Sequence, residues 1–202
     1  MTSDPRGAKR RLRAVLLPAR RSRPPSVAAQ MRRADRAARL PEIAAASCLA
    51  CYVALPGEPD PAQLVTQVAH DTVVVYPRLR PDGDLEFVRP ASAELVPGLR
   101  GTKEPAGGEI VAASEIDVYV VPALAADPAG GRLGRGGGAY DRALQRARPD
   151  ALVVVLLHDD EIVPEVPTEP HDRPVHVLVT ENRVVRTAAA PPERAQTKGP
   201  HG

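Results

Sequence analysis

The chain has 202 residues, a net charge of +2 and a 43% hydrophobic composition, which suits one domain large enough to build a real core. No apolar run reaches membrane-spanning length and no signal-peptide pattern is present, so the expectation is a soluble, cytoplasmic protein with no membrane partner. One Phe, four Tyr and no Trp leave few stacking platforms, which argues against single-stranded nucleic acid as a partner.

The small net charge hides an asymmetry. Residues 1–40 carry twelve Lys/Arg and two Asp/Glu, whereas the remaining residues are net acidic. A basic start suits nucleic acid, an acidic membrane surface, a transit peptide or a phosphorylated ligand. Residues 1–8 read as a loose, flexible tail. Within 9–17, Leu12, Val15 and Leu16 share a helical face with Lys9, Arg10 and Arg13 outside it, and Pro18 should end or kink the helix. Ser26 then caps a second helix with a thin apolar stripe of Val27, Met31, Ala34 and Ala38. Its Arg32, Arg33, Arg36 and Arg39 read as a solvated face.

Strands and helices alternate from there. Residues 51–55 read as a strand, 56–59 as a turn, and Asp60 with Pro61 as a helix start that aims Leu64, Val65 and Val68 at the core. The β-branched run 72–76 suits a strand buried on both faces. Further strands are expected at 85–88, 116–123, 151–157 and 176–180, with a helix at 139–148 and an irregular segment at 89–109. Residues 187–202, rich in Ala, Pro and charge, read as a disordered tail after a domain spanning 9–186. Cys48 and Cys51 stand three apart, so on a strand they face opposite sides; inert buried thiols are the expectation. The alternation implies a single three-layer α/β/α domain with a mostly parallel sheet and basic N-terminal helices. Ligands of such sheets bind beyond the carboxyl ends of the strands, where the turns 56–58, 77–80, 122–141 and 158–160 gather.

Residues 131–142, Gly-Arg-Leu-Gly-Arg-Gly-Gly-Gly-Ala-Tyr-Asp-Arg, contain five glycines. Glycine at this density lets backbone N–H groups approach an anion. Arg132 and Arg135 add forked donors for phosphate oxygens, and Asp141 is placed to hold a Mg²⁺ that those phosphates share. No Gly-Lys-Ser/Thr occurs, which excludes a P-loop. Gly134, Gly136 and Ala139 mimic a dinucleotide fingerprint, but a fingerprint follows its strand immediately and this one does not. A glycine loop with no ligand is the plain alternative.

Several pieces together resemble 5-formyltetrahydrofolate cyclo-ligase, also called methenyltetrahydrofolate synthetase. They are Lys9-x-x-x-Arg13, Leu55-Pro56-Gly57-Glu58-Pro59, Asp82-Gly83-Asp84-Leu85, Lys103-Glu104-Pro105, the run from Arg132 to Arg142, and Pro167-x-Glu169-x-His171-Asp172. The resemblance implies an ATP- and Mg²⁺-dependent enzyme that closes 5-formyltetrahydrofolate to 5,10-methenyltetrahydrofolate and releases ADP and phosphate. It implies ATP contacts from Lys9, Arg10, Arg13, Arg132, Leu133, Gly134, Arg135, Gly136, Gly137, Gly138, Ala139 and Tyr140. Arg135 and Tyr140 are the implied catalytic residues, Asp141 and Asp172 the metal carboxylates. Leu55 and Glu58 are the implied folate contacts, with Arg78, Lys103 and Phe87 as softer candidates. His158 and His171 are expected to be structural or exposed. The expected partner is a reduced folate bound by a monomer, with no nucleic acid; the alternatives are a non-catalytic member that binds nucleotide or folate, and a nucleic-acid binder acting through residues 1–40.

The chain departs from the family at Ala139, where an aromatic is usual, at Ala126, where Phe is usual, and at 157–161. That last segment reads Leu-His-Asp-Asp-Glu in place of Ala-Phe/Tyr-x-x-Gln. If these positions wall the pterin, each lost ring contact removes on the order of 1–3 kcal/mol of binding.

Overall fold

Asp4 accepts a hydrogen bond from the Arg6 amide (3.1 Å), Pro5 occupies the first helical position, and the chain enters helix α1, Pro5–Arg21. A computed structural model describes residues 4–169 and 172–190. In it α1 begins four residues before the sequence predicts, and it runs through Pro18 instead of ending there. Tertiary anchors explain both departures. Arg6 and Lys9 pair with Glu169 near the helix start, Leu12, Leu16 and Leu17 pack on an apolar cluster, and Arg20 beyond the proline is locked to Glu161. Packing of this kind outweighs the propensity penalty of one proline.

Ser26 caps α2, Val27–Ala38, by accepting from the Ala29 amide. The buried face is Ala34 and Ala37, while Val27 and Met31 of the expected stripe are exposed. Arg33, expected in solvent, is 1% exposed and paired with Glu181. There follow α3 (Pro41–Ala44), β1 (Cys48–Cys51), α4 (Ala62–Val65), β2 (Val73–Leu79) and β3 (Leu85–Pro90). The β1 strand lies three residues before its predicted start, and 52–55 form its exit loop. The segment predicted to be irregular holds a small hairpin, β4 (Leu95–Pro97) with β5 (Lys103–Pro105), and the start of β6 (Gly108–Val111). Next come β7 (Val118–Val121), a second hairpin of β8 (Ala125–Ala126) and β9 (Arg132–Leu133), then α5 (Ala139–Gln145), β10 (Leu152–Leu156), β11 (Val177–Val179) and β12 (Val184–Arg186).

The main sheet has eight strands in the order β12-β11-β10-β7-β1-β2-β3-β6. Its middle five strands, β11 to β2, are parallel; β12, β3 and β6 add antiparallel edges. Alternate side chains enter different cores. Leu49, Cys51, Val118, Val120 and Val154 join α2, α3 and α4 on one face, and Cys48, Ala50, Tyr119, Val121 and Val153 join α5 on the other. The expected three-layer α/β/α architecture therefore holds. The two cysteines are free and buried in opposite layers, and burial pushes the Cys48 thiol up to about 11. β2 is less buried than its β-branched run suggests, with only Val75 fully covered.

β1 and β7 are neighbours in the sheet, and the chain leaving β1 goes on to α4 on one face whereas the chain leaving β7 goes on to α5 on the other. Such a divergence opens a crevice at the strands' carboxyl ends. Thr187, where the expected tail begins, is 5% exposed and donates to the Val175 carbonyl (2.6 Å), so the ordered domain extends past 186. Residues 191–202, most of the expected disordered tail, lie outside the described residues. Among the described residues no helix is long and apolar enough to cross a membrane.

Candidate active site

The crevice between β1 and β7 opens into a cavity of about 600 Å³. The β1 exit brings Tyr52, Val53, Leu55 and Glu58 to it; the β7 exit brings Pro122 and Ala123. The β8–β9 hairpin then turns the chain so that 134–141 line the same space before and into α5. Two of these glycines are required by the backbone: Gly136 at φ +105° and Gly138 at φ +67° occupy the left-handed region that L side chains rarely adopt. A third residue of the loop, Gly134, offers its carbonyl to Arg13 Nε at 2.8 Å, which fastens α1 across the cavity mouth.

Four carboxylates of the cavity wall, Glu58, Asp141, Glu169 and Asp172, are each paired with a cation. Arg132, with its side chain 4% exposed, donates to Asp141 and, at 3.3 Å, to the Pro122 carbonyl. Its Nε is buried with no hydrogen-bond partner among the described residues, so the guanidinium has an unused donor. Arg135 donates through Nε to Glu58 Oε1 (2.9 Å), and the Leu55 amide donates to Glu58 Oε2 (3.0 Å). Lys9, 6% exposed, donates to Glu169 Oε2 at 3.1 Å and to Asp172 Oδ2 at 2.5 Å. Burial, and then the nearby Glu58 carboxylate, push the Tyr140 phenol far up, so it stays protonated and can act as a hydrogen-bond donor but not as a base.

Of the residues singled out from the sequence, Lys9, Arg10, Arg13, Arg132, 134–141, Leu55, Glu58, Lys103 and Asp172 all line this one cavity. Three do not. Leu133 is fully buried in the cluster beneath α1, so it anchors the glycine segment from behind. Arg78 lies outside the wall, paired with Glu86 across β2 and β3 at 2.6 Å. Phe87 is 2% exposed and packs edge-on against Tyr119, ring centroids 5.4 Å apart. His171 lies outside the described residues.

The departures at Ala126 and 157–161 are not cavity walls either. Ala126 is fully buried in the core, and Glu161 forms a buried ion pair with Arg20 (Nε to Oε1, 2.7 Å). Only Ala139 lines the cavity. His158 is structural: Arg33 Nη2 lies 3.3 Å from its Nδ1, which leaves Nε2–H to donate to the Gly57 carbonyl at 3.2 Å. Sequence reasoning missed Glu169 as a partner of Lys9, and it missed Arg100, Thr102 and Glu104 at the cavity edge. The Lys103-Glu104-Pro105 piece was the available signal for the last group.

Asp141 and Asp172 share the cavity, each already beside a cation. Among the described residues no group of three or more potential metal ligands exists, so a metal cage built by protein alone is absent. Two carboxylates do suit Mg²⁺, which keeps much of its water and completes its shell with phosphate oxygens.

The family model for the 5-formyltetrahydrofolate cyclo-ligase family matches residues 5–181. The chain is 35% identical over 187 residues to 5-formyltetrahydrofolate cyclo-ligase of Mycolicibacterium smegmatis, covering 88% of this chain and 96% of that one. It is 33% identical over 162 residues to 5-formyltetrahydrofolate cyclo-ligase of Escherichia coli, covering 75% and 87%. The fold superposes on the NMR structure of Aquifex aeolicus 5,10-methenyltetrahydrofolate synthetase with a TM-score of 0.78 and 29% identity, over 94% of this chain and 98% of that one. With the matched model spanning nearly the whole described chain and the family's motifs gathered around one cavity, the chain belongs to the 5-formyltetrahydrofolate cyclo-ligase family of enzymes.

Proposed function

We propose that the protein uses ATP to close 5-formyltetrahydrofolate to 5,10-methenyltetrahydrofolate. The observation that carries the proposal is the convergence of Arg132, Arg135, the glycine loop, Lys9, Arg13 and Glu58 on a single cavity at the sheet's crevice. A formamide carbonyl is a weak electrophile, and its oxygen does not leave as hydroxide at neutral pH. Transfer of the γ-phosphoryl group to that oxygen releases ADP and makes an iminium phosphate. N10 of the same folate then attacks the formyl carbon, the C–O bond breaks, phosphate departs with the former formyl oxygen, and N10 gives up its proton. Ring closure is intramolecular, so holding the two reactants in line supplies much of the rate.

Each wall residue has a task in this scheme. The glycine loop and Arg132 receive the polyphosphate. Arg135, 42% exposed, is free enough at its tip to follow charge onto the transferring group. Glu58 spends one acceptor site on Arg135 and one on the Leu55 amide; a carboxylate has about four such sites, so others remain for pterin N–H groups. Tyr140 donates a hydrogen bond to a developing anion. Asp141 and Asp172 would hold Mg²⁺ jointly with the phosphates, and the ion would supply neutralisation of phosphoryl charge.

Purified protein given 5-formyltetrahydrofolate, ATP and Mg²⁺ should gain the near-ultraviolet absorbance of the methenyl product. ATP binding with no gain over a protein-free blank would replace this proposal with a nucleotide-binding, non-catalytic one.

A further inference from the structure

The cavity's far edge is formed by the β4–β5 hairpin, whose tip carries Arg100. The tip is a tight turn closed by the Thr102 amide donating to the Leu99 carbonyl at 3.3 Å. Both central residues have positive φ, Arg100 at +58° and Gly101 at +77°. Such turns call for Asn-Gly or Gly-Gly, because a larger side chain in the left-handed region is strained. Arg100 is the only non-glycine residue with positive φ among the described residues.

The rest of the hairpin holds the strained residue in place. Glu104, 7% exposed, accepts from the Thr102 hydroxyl (2.8 Å) and from the Leu79 amide of β2 (3.2 Å). A Cβ on Gly98 would stand 2.2 Å from Glu104, so the hairpin closes tightly over that carboxylate. The tip is thereby aimed at the glycine loop. A Cβ on Gly137 would stand 2.9 Å from Arg100 Nη1, and one on Gly136 would stand 3.5 Å from Arg13 Cζ. Successive glycines thus face a guanidinium from α1 and another from the hairpin. Among the described residues Arg100 makes no ion pair, unlike Arg132 and Arg135 in the same wall. A strained backbone that presents an uncompensated cation to a glycine loop is the kind of local cost that persists at binding sites.

We infer that Arg100 is a polyphosphate-binding residue, clamping the nucleotide's phosphates against the glycine loop from the side opposite α1. The inference rests on the ATP-dependent reading of this cavity. Its test is Arg100→Asn, which installs the residue the turn prefers while deleting the cation, with Arg100→Lys as a companion. Binding of inorganic tripolyphosphate and of ATP is measured by calorimetry, KM for ATP and for 5-formyltetrahydrofolate by kinetics, and Tm by scanning.

Arg100→Asn should bind both polyphosphates about tenfold or more weakly, the loss typical of a charge-assisted hydrogen bond. Its KM for ATP should rise while its KM for the folate changes less than about twofold and its Tm does not fall. Arg100→Lys should fall between Asn and wild type. A purely structural role for Arg100 would instead lower Tm and leave polyphosphate affinity alone. Unchanged tripolyphosphate affinity in Arg100→Asn, an effect confined to the folate, or a wild type that binds no tripolyphosphate would each overturn the assignment. Wild type that binds tripolyphosphate, with loss in Arg100→Asn, but makes no methenyl product would sink the cyclo-ligase reaction and leave this assignment standing.

Discussion

Glu161→Gln is expected to destabilise this protein severely, although it inserts the residue common in the family at that place. Arg20 and Glu161 are 2% and 5% exposed in their side chains and meet through two contacts, Nε to Oε1 at 2.7 Å and Nη2 to Oε2 at 2.5 Å. Arg20 has little else: Nη2 reaches the Leu124 carbonyl only at 3.5 Å, and Nη1 is buried without a partner among the described residues. Neutralising Glu161 leaves a buried cation uncompensated, which costs about 3–5 kcal/mol. At roughly 2–4 °C per kcal/mol for a chain of this size, Tm should drop by about 6–20 °C. The double variant Arg20→Met/Glu161→Gln removes the stranded charge while the Gln oxygen still accepts from the His158 amide, so it should recover at least half of the loss. Thermal scans at pH 7 of the parent, the single and the double variants decide the matter. A single variant within about 2 °C of the parent, or a double variant less stable than the single, would refute the reasoning.

Glu58→Gln should raise the KM for the folate about tenfold or more while Tm stays within a few degrees, because its partner Arg135 is partly exposed and such pairs contribute on the order of 1 kcal/mol or less; steady-state kinetics with each substrate varied checks this. Stability should decline as pH falls below about 6.5, the range in which an unfolded-chain histidine takes up a proton. His176 and His158 have lowered folded-state values, caused first by burial, and His176 Nδ1 accepts from the Val153 amide at 2.9 Å. The unfolded chain therefore binds protons first, and a His176→Gln variant should flatten that slope in denaturant titrations at pH 5.5 and 7.5. Cys48 and Cys51 should resist thiol reagents in the native protein at pH 8 and react only after unfolding, since burial raises both thiols.

What could be read from the chain beforehand was local. The glycine run before α5, the Pro56-Gly57-Glu58 turn and the apolar strands carry their signals within a few residues, and the structure gathers the first two at one cavity. Long-range electrostatics was not legible. Arg33 and Lys9 sit on helices that also carry exposed cations such as Arg10, Arg11 and Arg32, and only Glu181, Glu169 and Asp172, more than a hundred positions away, explain their burial. The same pairing explains the charge asymmetry. Arg6, Lys9, Arg20, Arg23 and Arg33 are neutralised by acids of residues 160–181, while Arg10 and Arg13 face the cavity. The basic start therefore docks on the acidic remainder, which removes much of the motive for a nucleic-acid partner. The family departures misled for a related reason: replacing Gln with Glu161 looked like a worn pocket, but it is the acid half of an ion pair whose base, Arg20, lies in α1.

The reaction chemistry can be tested by following one atom. In a single round with 5-formyltetrahydrofolate labelled with ¹⁸O at the formyl group, the label should appear in the released phosphate, with one ADP formed per methenyl product. An Asp141→Ala variant should lose turnover by at least about a hundredfold. Label recovered in water, or methenyl formed without ADP, would contradict activation of the formyl oxygen by phosphoryl transfer in this cavity.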